Sequence, residues 1–321
     1  MKKITLLAPM FGDHFPNYFP LLLDSMKNNP EIQFVLPTDI DFNHLYTNLP
    51  KNIKFRRTTL AITQKKLERI TGCRVILTKA YKICDYKPMY GMLFDDLIGD
   101  SEWWGYFDVD IIFGDISHWL TEELLASVDR IFTRGHLTLF RNVSTNNTLW
   151  KHNFGLPEVP SYQEVVSSPA IYAFDEWGWG KNKGRGLSYA INKLNLVNQY
   201  DNEYAFADIS PNTFAFTVSN GITLSYLKYT NGKLMGYEES GLMHEFMYVH
   251  LQKRSMIYRN VNLLDSVYIF PNEFSNSLTD DNDATQEKIW RKQWRKRRIK
   301  QIIGNLSYAY FKRRIRFLKT E

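Results

Sequence analysis

The chain has 321 residues, 44% hydrophobic and 23% charged, a globular mix that excludes global disorder, a collagen-like repeat and a coiled coil. Its net charge of +6 is uneven: residues 286–321 hold 13 Lys+Arg against 2 acidic residues, whereas residues 1–285 hold 27 basic and 32 acidic. A mildly acidic body thus carries a strongly basic tail, and two cysteines, Cys73 and Cys84, are too few for a disulfide framework and point to a reducing compartment.

Residues 3–10 read as a buried first strand. The apolar run of MKKITLLAPMFGDHFP meets Pro9, Gly12 and Asp13 too soon for a secretory signal, so a cytoplasmic location is expected. A helix is predicted over 16–28, with Phe19, Leu22, Leu23 and Met26 on one face. Strands follow at 32–36, ended by Pro37, and at 53–57. Helical periods cover 59–71 and 86–98, the latter with Tyr90, Leu93, Phe94 and Leu97 in phase. Residues 104–113 read as one buried strand, 117–127 as a helix and 136–141 as a strand. Strand–helix alternation of this kind predicts an α/β sheet with parallel strands. After residue 142, loops rich in Asn, Gly and Pro surround aromatic clusters, and later strands are expected at 214–218, 223–228 and 246–251. The polar stretch 271–285 reads as a linker.

The tail, 286–321, interleaves Trp290, Trp294, Ile299, Ile302 and Ile303 with Arg291, Lys292 and Arg295 to Arg298. Basic residues beside Trp and Ile at near-helical spacing suit a helix lying on an anionic membrane surface, at about 1 kcal/mol per basic residue near that surface. A helix packing its Trp face on the body is the alternative. Nucleic acid is the lesser rival as partner, because it leaves the chemistry below without a purpose. No run approaches the roughly 18 apolar residues of a membrane span.

That chemistry centres on Asp108-Val109-Asp110, inside YFDVDIIFGD. In a strand, a period of two puts both carboxylates on one face. Ionised carboxylates in an apolar setting need a partner, and a hard divalent cation, Mn²⁺ or Mg²⁺, supplies one while bridging to phosphate oxygens. Upstream, Asp85 and Lys87 open an amphipathic segment, CDYKPMYGMLFDDL, in which Lys87 is a candidate phosphate contact. Downstream, HEFMYVHLQKR offers His250 as a third metal ligand, with Lys253 and Arg254 as a diphosphate clamp. FDEWGWG places Asp175 and Glu176 between aromatics. That suits an acceptor subsite, with one carboxylate as general base and Trp177 or Trp179 under a sugar ring. Asp208, in FADIS, is a further carboxylate candidate, and Glu238 and Glu239 are weaker ones.

These motifs together resemble a metal-dependent glycosyltransferase of the GT-A fold. More closely, CDYKPMYG…WWGYFDVDIIFGDI, with FDE and YVHLQKR later, is similar to a largely uncharacterised family of bacterial glycosyltransferase-like proteins associated with surface polysaccharides. The resemblance covers residues 1–270 and is firmest over 84–116 and 244–254. It implies a Rossmann-type mixed sheet flanked by helices, with a nucleotide-binding half (1–142) and an acceptor half (143–270). It also implies a nucleotide-sugar donor, a UDP-sugar first among them, and a glycan or lipid-linked glycan acceptor. By the same resemblance, Asp108 contacts the ribose or the metal, Asp110 and His250 bind the metal, and Ala8, Pro9 and Phe11 hold the base. Asp85 and Lys87 face the sugar nucleotide. Trp104-Gly105-Tyr106 stands where related families have Gly-Gly-x-Tyr, and a Lys at 87 replaces a bidentate Arg, so the donor sugar is not implied. A metal-dependent nucleotidyl- or phosphotransferase is the rival enzyme. It would normally bring a Gly-rich phosphate loop, and Gly184-Arg185-Gly186 is too short for one.

Overall fold

The structure, a computed structural model, describes residues 3–43, 49–180, 184–258, 261–278, 284–305 and 315. The first strand, β1 (Ile4–Leu7), is buried throughout, as the near-continuous apolar strands of a parallel sheet are. It is followed by helix α1 (Phe19–Lys27), which buries Phe19, Leu21, Leu22 and Met26, and by β2 (Ile32–Thr38) and β3 (Ile53–Arg57). Helix α2 (Leu60–Thr71) starts on Thr59, whose side chain accepts from the Ile62 N–H, and ends on Gly72 in the left-handed region. Then come β4 (Trp103–Phe107), β5 (Ile111–Phe113), β6 (Arg130–Arg134) and β7 (Leu137–Arg141).

Seven strands form the main sheet, in the order Gln199–Tyr200, β6, β7, β4, β1, β2, β3. β1 runs parallel to both β2 and β4, and β2 to β3; β7 runs antiparallel to β4 and β6. The expected mixed α/β sheet flanked by helices is therefore present. Alternate residues feed two cores: Leu6, Phe34, Trp103 and Phe107 pack on one face, and Leu7, Val35, Trp104 and Tyr106 on the other. Gly105 is required where it stands, since a Cβ there would lie 2.6 Å from the Thr138 carbonyl oxygen of the neighbouring strand. The chain leaves β1 toward β2 on one side and returns to β4 on the other. The carboxyl ends of β1 and β4 thus flank the point where the strand order reverses, where open α/β sheets form a ligand crevice.

A three-stranded sheet of Phe206–Asp208, Tyr248–His250 and β5 abuts this crevice. A six-stranded sheet collects Met243–Phe246, Lys233–Tyr237, Tyr226–Thr230, Val267–Ile269, Glu273–Ser275 and Ile257–Tyr258. The C-terminal helix Ala284–Asn305 lays Trp290, 3% exposed, against Phe214 and the Arg254 guanidinium.

Several expectations need correction. Residues 117–127 are not one helix: a single turn, Ile116–Trp119, is followed by a second helix, Glu122–Ser127, capped by the Thr121 side chain. Residues 104–113 are not one strand: the chain leaves the main sheet after Phe107, turns through Asp108, Val109 and Asp110, and enters the three-stranded sheet as β5. β2 does not stop at Pro37. It runs on to Thr38, because its pairing with β1 ends at Val35 and no ladder N–H is needed from Pro37 on that side. Residues 86–98 are not one helix. Pro88 closes a 3₁₀ stretch, Ala80–Met89, and two single turns follow, Tyr90–Leu93 and Asp95–Ile98. Within 271–285, Glu273–Ser275 is a strand held by the buried Phe274, which packs on Tyr18 and Tyr258. Residues 279–283, 306–314 and 316–321 lie outside the described residues.

Candidate active site

A cavity of about 780 Å³ opens over the carboxyl ends of β1 and β4. Pro9, Met10 and Phe11 line it from β1, Asp108 to Asp110 from the turn after β4, and Gly135 and His136 from the β6–β7 hairpin. Asp175, Glu176 and Trp179 join from the aromatic loop, and Asp208, His250, Gln252 and Lys253 from the three-stranded sheet and its continuation.

Ladder register explains how residues so distant in sequence meet. His250 pairs with Ile111, the residue after Asp110, and Asp208 pairs with His250 on its other side. Asp108, Asp110 and His250 can each offer one ligand atom, all within 4.8 Å of one another. Two carboxylates and an imidazole suit a hard-to-borderline divalent cation. His250 Nε2 lies 3.4 Å from Asp110 Oδ1. Its Nδ1–H donates to Asp208 Oδ1 at 2.8 Å, which fixes the ring so that Nε2 faces Asp110. Burial alone would lower the His250 imidazolium, but Asp110 and Asp208 raise it to about 10. Asp110 is 5% exposed; against the burial that would raise it, His250 and the Lys253 backbone N–H hold its carboxyl well below the usual range.

The turn that delivers that N–H is strained. Gln252 (φ 52°) and Lys253 (φ 57°) are consecutive non-glycine residues in the left-handed region, where each costs of order 1–2 kcal/mol. The strain brings the Lys253 N–H to Asp110 and Gln252 Nε2 to Asp208 at 2.7 Å. Lys253 Nζ reaches the Tyr81 hydroxyl at 2.9 Å and lies over its ring.

At the other end of the cavity Lys87 Nζ donates to Asp108 Oδ1 and to the Gly135 carbonyl, both at 2.7 Å, and lies 3.3 Å from Asp175 Oδ2. Burial would lower the Lys87 ammonium, but Asp108 and Asp175 keep it well above the usual lysine range. Burial pushes Asp175 up to about 8 despite Lys87, with Glu176, Asp85 and Asp108 adding like charge. Glu176 is also raised, first by burial, and is less buried than Asp175.

Several sequence candidates stand elsewhere. Ala8 is buried in the sheet, its N–H on the Val35 carbonyl, while Pro9 and Phe11 do line the cavity. Asp85 faces away from the cavity: it pairs with Lys82 at 2.8 Å and accepts the Tyr172 and Phe174 N–H groups, anchoring the strand of chain that leads to Asp175. Arg254 does line the cavity, but its Nη1 and Nη2 donate to the carbonyls of Phe214, Pro271, Ser210 and Thr213, tying three loops together and leaving only the buried Nε without a partner among the described residues, which does not suit a diphosphate clamp. Trp177 lies outside the cavity lining, with its Nε1 on Thr133 and its ring on Tyr189; Trp179, 42% exposed, stands at the cavity rim. Glu238 binds His244 on the six-stranded sheet, away from the cavity. The sequence does not single out His136 and Tyr81, which no motif marks, nor Gln252, which lies within YVHLQKR but carries no charge to draw notice.

The site is thus a cavity at the switch point of a mixed α/β sheet, walled by carboxylates, lysines and imidazoles. Residues 6–278 match the family described as "Family of unknown function (DUF6625)", and the chain belongs to it. No curated protein matches the sequence. Among solved structures, the chain is similar to the galactosyltransferase LgtC in complex with donor and acceptor sugar analogues. That match has 14% identity and a TM-score of 0.35, and covers 64% of this chain and 74% of that one. A structure of an active-site mutant of LgtC matches over the same shares, with 13% identity and a TM-score of 0.35.

Proposed function

We propose that this chain is a metal-dependent glycosyltransferase that moves a sugar from a nucleoside diphosphate donor, a UDP-sugar first among the candidates, to a glycan acceptor. The observation that carries this reading is the convergence of Asp108, Asp110 and His250 on one point of a cavity that opens at the sheet's switch point. A divalent cation held by these three residues would supply positive charge to the departing diphosphate. Lys253, whose ammonium rests on Tyr81 at the cavity edge, can turn to the same phosphates. Lys87 acts inward: it holds Asp108 in place and its charge offsets Asp175. Pro9 and Phe11 form the base-binding wall. Glu176, partly exposed with a raised pKa, is the better placed of the two acids to take the acceptor hydroxyl proton, and Trp179 is the one tryptophan of the pair positioned to stack on a sugar ring. For the rival nucleotidyltransferase, product analysis decides. Release of a nucleoside diphosphate supports glycosyl transfer, and release of pyrophosphate sinks it.

The tail fits a peripheral membrane role in the same account. Trp290 is taken up by the body, yet Ile299, Ile302 and Ile303 are more than half exposed on a helix that also carries Lys292, Arg295, Lys296 and Arg298. That surface suits anionic lipid, near which a lipid-linked acceptor would lie. No helix among the described residues is long and apolar enough to cross a membrane. Flotation with phosphatidylserine vesicles should be lost in Ile302→Asp/Ile303→Asp; unchanged flotation would refute the lipid contact.

A further inference from the structure

His136 holds a buried ring nitrogen of the cavity that the chemistry above leaves unused. Its side chain is 6% exposed and lines the cavity, yet Nε2 has no hydrogen-bond partner among the described residues. Asp208 Oδ2, at 3.9 Å, is beyond hydrogen-bond reach. A buried polar group left in this way calls for an explanation, since its desolvation is uncompensated.

The other ring nitrogen says which kind of partner is missing. Nδ1 lies 3.0 Å from the Tyr248 hydroxyl, which has no second partner among the described residues. In the neutral tautomer that satisfies the Tyr248 hydroxyl, its proton goes to Nδ1 and the ring's own proton sits on Nε2; with a charged ring, both nitrogens carry protons. Nε2 is a donor in both arrangements; the remaining tautomer, with the ring proton on Nδ1, would leave the buried Tyr248 O–H without an acceptor among the described residues. It therefore serves an oxygen acceptor and not a metal ion, although His136, Asp208 and His250 lie close enough together to suggest a second cation site. The His136 ring lies 4.5 Å from that of His250, so the acceptor it awaits is next to the proposed cation.

We infer that His136 is a donor-binding residue, whose Nε2–H hydrogen-bonds an oxygen of the nucleotide sugar, on the diphosphate or on the transferred sugar. This rests on the glycosyltransferase reading. Calorimetry on the full chain with UDP and with UDP-glucose, each with Mn²⁺, tests it in wild type, His136→Leu and His136→Gln. The expected result is a loss of affinity of roughly tenfold or more in His136→Leu, since a charged or hydroxyl acceptor loses its partner. His136→Gln, whose amide nitrogen can stand near the Nε2 position, should recover most of it. Because His136→Leu also leaves the buried Tyr248 hydroxyl without its partner, its thermal midpoint should fall, whereas His136→Leu/Tyr248→Phe, which removes both polar groups, should hold the wild-type midpoint and still lack the affinity. Loss for both ligands assigns the oxygen to the diphosphate, and loss for UDP-glucose alone assigns it to the sugar. Wild-type affinity for both ligands in His136→Leu overturns the inference, as does a lowered midpoint in His136→Leu/Tyr248→Phe with no rescue by Gln. A wild-type chain that binds neither ligand overturns the UDP-sugar reading of the proposed function, and this inference with it.

Discussion

Asp110 and Asp175 are both at least 95% buried, line the same cavity and titrate in opposite directions. Asp110 is held ionised by His250 at 3.4 Å and by the Lys253 backbone N–H. Asp175 shares one ammonium, Lys87, which is nearer to Asp108 (2.7 Å) than to it (3.3 Å), and it has Glu176 as a neighbour. Burial alone therefore does not set the charge of a carboxylate here; the number of dedicated partners does. One end of the cavity holds Asp110 ionised, as the proposed cation needs. At the other, Asp175 keeps its proton through neutral pH, while Glu176, raised in the same direction but less buried, is the carboxylate the proposal uses as base.

If that division is right, the largest effect belongs to the proton-handling end. Glu176→Gln should lower turnover by about 10²–10⁴-fold while leaving nucleotide affinity unchanged, measured as diphosphate release against calorimetric binding. A parallel loss of binding would mean that Glu176 holds ligand and does not take a proton. At the cation end, Asp208→Asn removes the carboxylate that orients His250, and apparent Mn²⁺ affinity should fall by about 10–100-fold, with binding restored at saturating Mn²⁺. Failure of excess metal to restore binding would break the assignment of Asp208 to the imidazole. The smallest effect is on stability. The folded-state pKa of Asp175, about 8, lies above its ordinary 3.8, so its contribution is full below pH 3.8 and is lost as pH rises through 8. The wild-type thermal midpoint should then fall between pH 5 and pH 9 more steeply than that of Asp175→Asn. Parallel slopes would contradict a protonated Asp175.

The same contrast runs through what the sequence discloses. β1 to β4 and helices α1 and α2 are legible because each is a buried run or an amphipathic period with its own stop signals. The Asp pair is legible because carboxylates are conspicuous among Tyr106, Phe107, Ile111 and Ile112. Strand alternation is not what brings the two aspartates together, however; they share a turn between two sheets, and the β5 pairing with Tyr248–His250 sets His250 beside them. His250 reads as a ligand only beside that pair. The neighbours of His250, Asp208 and His136, depend on parallel and antiparallel registers between segments more than 40 residues apart, which periodicity does not encode. Asp85 and Arg254 mislead for a related reason. Charged residues near a motif read as ligand contacts, whereas each is consumed by backbone groups of loops that the linear sequence leaves apart.

The cation end decides the whole account, and one titration addresses it: UDP binding to the full chain by calorimetry, with and without Mn²⁺, in wild type and in Asp110→Asn. The account predicts binding that requires Mn²⁺ and falls by more than roughly 100-fold in Asp110→Asn, the upper end of what changes one shell further out produce. Binding that ignores Mn²⁺, or that survives unchanged in Asp110→Asn, would contradict a cation held by Asp108, Asp110 and His250.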